Sequence, residues 1–181
     1  MMPRIAVSLM ALALAGCASS GTTLESQPPV DRPVLIQDGQ MLKTNDAPAS
    51  AASFDAAPAK VWTALAAAYA SLGIDVTVND PRSHTMGNTQ FFKSRTFNGQ
   101  PLSRLADCGN GPDGPRANTS RVYFSVVTTL VTVDASHTKL MTDVSPVAVD
   151  QSGTTGYRAT CGSSGVLETM LYDAVKKNLG S

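Results

Sequence analysis

Charge is scarce in this chain, and neither sign prevails. Asp, Glu, Lys and Arg make up 15% of the 181 residues, with 14 of each sign, so the formal net charge is zero. No basic patch or lysine run stands out, which argues against nucleic acid and against anionic lipid headgroups as partners. Only 2 histidines are present, so there is little from which to build a base working near neutral pH. Cysteine is limited to 3 residues, with no Cys-x-x-Cys pair and no Cys/His cluster, so no metal site is expected. No Gly-x-Ser-x-Gly elbow and no Gly-x-x-x-x-Gly-Lys-Ser/Thr loop occurs. No repeat of fixed period is visible. No apolar run reaches the roughly 20 residues needed to span a bilayer. Nothing in this set implies a cofactor.

What is present begins with Arg4 and the apolar stretch Ile5–Ala15. A charged start, a short apolar segment and small residues match a secretory signal peptide. The stretch ends in Leu14-Ala15-Gly16-Cys17, after which the chain turns small and polar. These four residues resemble the lipobox of bacterial lipoproteins. The resemblance implies residues 1–16 as a removed leader and Cys17 as the first mature residue. It also implies a diacylglycerol in thioether linkage to Cys17 and acylation of its amine. Several acyl chains hold a protein on a membrane where one binds marginally. Ala18 follows the cysteine, where aspartate often signals inner-membrane retention. The expected location is therefore the periplasmic face of the outer membrane, with the inner membrane kept open.

With Cys17 carrying lipid, Cys108 and Cys161 remain as a pair. In an exported protein such a pair is expected to form a disulfide. It would close a loop of about fifty residues, worth about 3–4 kcal/mol by chain entropy. Two free thiols are the alternative.

Loss of the leader removes one cation and leaves a net charge near −1. The remaining length suits one domain plus a linker. Residues 17–50 are rich in Ser, Thr and Pro and read as a flexible tether, with "PVLIQDG" within it read first as a transiently ordered patch of linker and alternatively as a short strand or docking peptide. The globular domain is expected over residues 51–181. "AASFDA" predicts a first strand. "PAKVWTALAAAYASLG" predicts a helix with Val61, Leu65, Tyr69 and Leu72 on one face, Asp55 as its cap and Gly73 just past its end. "GIDVTVND" alternates Ile74, Val76 and Val78 against polar residues and predicts a half-buried strand. "HTMGNTQFFKSRTF" predicts another, with Gly87 at a bulge. A glycine- and proline-rich loop covers about 98–119, with one helical turn at "SRLAD". "SRVYFSVVTTLVTV" and "TKLMTDVSPVAV" predict a long hairpin around "DASH", with Pro146 ending the second strand or marking an edge. After a second loop comes a closing helix with an apolar stripe at Val166, Leu167, Met170, Leu171, Ala174, Val175 and Leu179.

Strand, helix, several antiparallel strands and helix define an α+β fold. The expected form has two layers, a twisted antiparallel sheet packed by two helices on one face. The Val-Trp…Leu…Leu-Gly-Ile passage from helix to strand resembles helix-grip domains. It is similar to those of the C-subunit lipoprotein of the outer-membrane barrel assembly machinery, although this chain has one such domain where that family has two. The resemblance implies a helix-grip-like fold and a role in assembly.

Three chemical readings remain. Trp62, Tyr69, Phe91, Phe92, Tyr123 and Phe124 could line a cavity for a small apolar ligand, or form ordinary core. Gly162, Ser163 and Ser164 precede a helix and could cradle an anion, or Ser163 or Ser164 could simply cap it. Ser163 or Ser164 with His84 or His137 could form a hydrolytic pair, though no motif supports one. Asp107, Asn110 and Asp113 are spaced by three, unlike the alternating ligands of a calcium loop. The expected function is a non-catalytic binding or assembly module, anchored by lipid, whose loops at 98–119 and 150–162 meet an envelope protein or cell-wall partner. The alternative is a carrier of a small apolar ligand.

Overall fold

The computed structural model describes residues 50–150 and 158–180, together with the backbone at 33–35 and 41–43. The expected leader, Cys17, most of the tether and most of the second loop lie outside the described residues. Within the tether, β1 (Pro33–Leu35) and β2 (Met41–Lys43) pair antiparallel, so "PVLIQDG" does begin as strand.

The chain from Ser50 to Gly180 is α+β. It runs through β3 (Ser50–Phe54), α1 (Pro58–Ser71), β4 (Val78–Asp80) and β5 (Thr85–Ser94). The loop expected at 98–119 holds much local structure. It is preceded by β6 (Thr96–Phe97) and contains β7 (Gln100–Pro101), a 3₁₀ turn (Leu102–Arg104), β8 (Ala106–Asp107), β9 (Asn110–Gly111), β10 (Gly114–Pro115) and the short α2 (Arg116–Thr119). The hairpin is β11 (Arg121–Thr132) and β12 (Thr138–Val149). Then follow β13 (Arg158–Thr160), β14 (Gly162–Ser163) and α3 (Val166–Leu179).

The main sheet has 6 strands in the order β13-β12-β11-β5-β4, with β3 sharing the outer edge of β12 with β13. All its pairings are antiparallel. The alternation of β11 sets the two faces. Val122, Phe124, Val126, Thr128 and Leu130 are buried, while the odd-numbered residues between them are half-exposed. Both long helices cover the buried face. Tyr69 of α1 reaches Thr128, and Leu167, Leu171 and Val175 of α3 join the same core as Val61 and Leu65 of α1.

α1 ends as its sequence indicates. Gly73 adopts φ 66°, its amide meets the Ala70 carbonyl at 3.0 Å, and the Ile74 amide meets that of Tyr69 at 3.0 Å. Its start differs. Ala57 is the N-cap and no side chain caps the helix, so Asp55 does not serve there. At α3 the N-cap is Gly165 in the left-handed region, again with no side-chain cap, so neither Ser163 nor Ser164 fills that place.

Three other expectations need correction. The strand over "GIDVTVND" is ladder only at Val78–Asp80. Before it, Asn88 donates its side-chain amide to the Asp75 carbonyl at 2.6 Å, and Thr77 offers its hydroxyl to the Thr89 amide at 3.3 Å. These side chains and one backbone bond, from the Thr77 amide to the Gly87 carbonyl at 2.9 Å, replace the ladder there, and Val76 stays 38% exposed. The register shift in β5 falls where β11 passes from Phe124 to Val126, opposite Thr89 and Gln90 rather than Gly87. Gly87 answers a different demand, because a Cβ there would sit 2.2 Å from the Val126 carbonyl oxygen. Finally, β12 does not end at Pro146 but runs to Val149. Pro146 falls in the interval between β3, which pairs Thr138–Thr142, and β13, which pairs Val147–Val149. Its carbonyl accepts from the Cys161 amide at 2.9 Å, so its missing N–H points into that interval and away from β11.

Candidate functional site

Cys108 and Cys161 form a disulfide, with their Cα atoms 4.3 Å apart. Cys108 follows β8 and Cys161 precedes β14, and these two strands pair Asp107 with Gly162 and Ala106 with Ser163. The bridge therefore staples the long loop to the approach of α3. Inside the loop, Leu102 and Leu105 are fully buried. The Asn118 side chain accepts from the Ser103 amide at 2.9 Å and donates to its hydroxyl at 3.0 Å. The Arg116 amide donates to the Gly109 carbonyl at 3.0 Å, and its Nε to that of Asn110 at 2.9 Å. A run of very short elements is thus held by core leucines, its own polar contacts and one covalent link. Asp107 accepts from the Gly109 amide at 2.9 Å, as a local turn does. Among the described residues no group of three His, Cys, Asp or Glu side chains is placed to hold a metal ion.

Beside the bridge lies Glu168, the third residue of α3 and only 4% exposed. The Ser163 hydroxyl donates to its Oε1 at 2.7 Å, and its Oε2 has no hydrogen-bond partner. Burial pushes its carboxyl above the ordinary glutamate value, with Asp143 adding to the shift and the Ser163 bond opposing it. This bears on Gly162, Ser163 and Ser164. The hydroxyl an external anion would need already serves the chain's own carboxyl. The Ser164 hydroxyl donates to the Arg104 carbonyl, and its amide to that of Leu105 at 3.1 Å. The three residues join loop to helix and are not left open as a cradle.

The aromatic residues divide between the two faces of the sheet. Phe91 and Phe124 are cross-strand partners on the helix side and stack with ring centroids 5.5 Å apart. Tyr69, also on that side, is fully buried, and its hydroxyl is 2.8 Å from that of Thr128. Thr128 is in turn 2.9 Å from Thr142 on β12. Trp62 is half-buried against the same core. Tyr123 is on the opposite face, paired with Phe92 at a centroid distance of 5.7 Å. The set Trp62, Tyr69, Phe91, Tyr123 and Phe124 therefore does not converge on one space. Period-two alternation separates Tyr123 from Phe124 by the thickness of the sheet.

The histidines are on the surface. His84 has φ 52° in the turn before β5. His137 closes the hairpin turn, its Nδ1 2.7 Å from Asp134 Oδ2 and 3.1 Å from the Ser136 hydroxyl. Asp134 and the Ser136 hydroxyl meet the same ring nitrogen, whereas nucleophilic catalysis needs acid and hydroxyl on opposite nitrogens, and the Asp55 carboxylate on the Nε2 side is 3.8 Å away, beyond hydrogen-bond distance. The Asp134 carboxyl is lowered to about 2, chiefly by the Ser136 amide and then by His137. These contacts describe a well-tied turn. Neither Ser163 nor Ser164 hydrogen-bonds to either histidine.

Sequence reasoning missed Glu168 and the Tyr69-Thr128-Thr142 chain. A glutamate in the first turn of a helix ordinarily faces water, and threonine in a strand ordinarily marks only β preference. No helix among the described residues is long and apolar enough to cross a membrane. No protein-family model, curated protein or solved structure matches the chain.

Proposed function

We propose that this chain is a cell-envelope lipoprotein, held on the periplasmic face of the outer membrane through lipid on Cys17, and that its domain is a non-catalytic binding or assembly module. The observation that carries the reading is the Cys108–Cys161 disulfide. Bridges of this kind persist in exported proteins and are rare where thiols are kept reduced. With these two cysteines joined, Cys17 is the one cysteine of the 3 left outside a bridge, at the place where the lipobox resemblance puts the acyl groups. Support for the non-catalytic part is chemical. The buried polar groups tie the fold together, and the surface histidines close turns.

The tether sets the module's reach, at about 3.3 Å per residue when extended. The stapled 98–119 loop offers a shaped surface on a rigid base, which suits recognition. In-cell crosslinking from photoreactive residues placed at exposed positions of that loop tests the reading. A discrete envelope partner is the expected product. Crosslinks to no macromolecule from any loop position would contradict it.

A further inference from the structure

From Asp80 to Asp107 the chain carries Arg82, Lys93, Arg95 and Arg104 and no carboxylate between, although it is neutral overall. The middle of this stretch lies on an open sheet edge. β4 pairs β5 only at Thr85–Gly87, and among the described residues no strand flanks β5 beyond that point. The register fixes where the backbone groups point. Pro146 faces away from β11, so Phe124 opposite it faces β5. Phe91, opposite Phe124, faces β11, and Phe92 and Ser94 therefore direct their N–H and C=O groups outward. Phe92 is 53% exposed, with the Arg121 guanidinium 4.9 Å from its ring centroid. Lys93 lies on the other face, its amine 5.2 Å from the Phe97 ring centroid.

We propose that the β5 edge from Gln90 to Ser94 binds an acidic, extended peptide segment of a partner as an added strand. The inference rests on the binding-module reading and names the partner's chemistry. Backbone groups aimed outward supply the hydrogen bonds of strand addition, and the exposed Phe92 supplies an apolar contact beside them. Lys93 and Arg121 place cations on opposite faces of the edge, and Arg95 adds an exposed third at its end. A strand with carboxylates at alternate positions would meet them. A second copy of this chain would not, because edge-to-edge pairing would oppose the same cations, and like charges across strands repel.

The test uses the mature chain and a fluorescent peptide of alternating glutamate and valine, followed by polarisation and amide NMR. Two control peptides replace glutamate by lysine or methylate every backbone amide, so that neither edge of the added strand can donate. The glutamate peptide is expected to bind and to shift the amides of residues 90–94. Both controls should bind about tenfold or more weakly, as should the glutamate peptide to the Arg95→Glu/Arg121→Glu variant, whose two side chains are solvent-exposed. Equal binding of a methylated peptide would reduce the effect to bulk charge and overturn strand addition. So would tight binding of single-stranded DNA with the same amide shifts, which would mark the edge as a general polyanion site. No binding of the glutamate peptide overturns the inference as well. If loop crosslinking still finds an envelope partner in that case, the binding-module reading stands and only the edge is lost.

Discussion

Tyr69 on α1 and Thr128 in the middle of β11 join through their hydroxyls at 2.8 Å, both fully shielded from solvent. Thr128 passes the contact to Thr142 at 2.9 Å, which links the first helix to the two central strands through one polar chain. In a core that is mostly apolar, this fixes how α1 seats on the sheet, because a slide along its axis would strand a buried hydroxyl. Tyr69→Phe should lower stability by about 1–2 kcal/mol while the fold persists. Urea unfolding with unchanged far-UV circular dichroism checks it. A variant as stable as the parent would show that the chain carries no energy.

Glu168 should make stability depend on pH in a direction unusual for a carboxyl. Its folded value is raised above the ordinary 4.5. Between the two values the unfolded chain has lost the proton that the folded chain keeps, so stability falls as pH rises through that window. Glu168→Gln removes the ionisation and retains an acceptor for Ser163. Relative to the parent, the variant should gain stability toward pH 8 and lose the downward slope, in urea midpoints measured from about pH 4 to pH 8. A parallel pair of curves would contradict the burial argument.

Gly87 should be intolerant for a steric reason. A Cβ there meets the Val126 carbonyl oxygen at 2.2 Å and the Val127 Cα at 2.8 Å, both backbone atoms of the neighbouring strand. Gly87→Ala should cost about 1–3 kcal/mol or more by forcing β5 and β11 apart. Gly162→Ala, where nothing lies within 4 Å of the added carbon, should stay within about 0.5 kcal/mol. Similar losses at both sites would refute the close approach.

The Cys108–Cys161 bridge spans a sequence separation of 53. Replacing both cysteines by serine should cost about 4 kcal/mol on the loop-entropy model. Reduced parent protein should match the double variant in urea unfolding. A reduced chain no less stable than the oxidised one would show that the leucines and hydrogen bonds of the loop suffice without it.

How much of this could be read beforehand depended on whether the signal was local. The β11–β12 hairpin, α1 with its Gly73 ending and α3 follow from periodicity and end signals carried by the segments themselves. The bridge follows from cysteine arithmetic once Cys17 is set aside. Failures came where a distant group decided. Asn88 replaced ladder bonds near Asp75, so an alternating stretch was only partly strand. Pro146 stayed inside β12 because its bare side fell between two short neighbours, which only register reveals. Tyr123 and Phe124 are adjacent in sequence but on opposite faces, so a cavity set chosen by residue type mixed two surfaces. The burial of Glu168 depends on α3 meeting the stapled loop, and no nearby residue announces it.

Anchoring through Cys17 is the claim on which the functional account turns. The direct measurement is intact mass of the protein recovered from membranes, with Cys17→Ala followed by fractionation in parallel. A mature chain beginning at Cys17 and carrying diacylglycerol, together with release of the variant from membranes, is the expected result. A free Cys17 thiol, or a Cys17→Ala variant retained on membranes as fully as the parent, would contradict it.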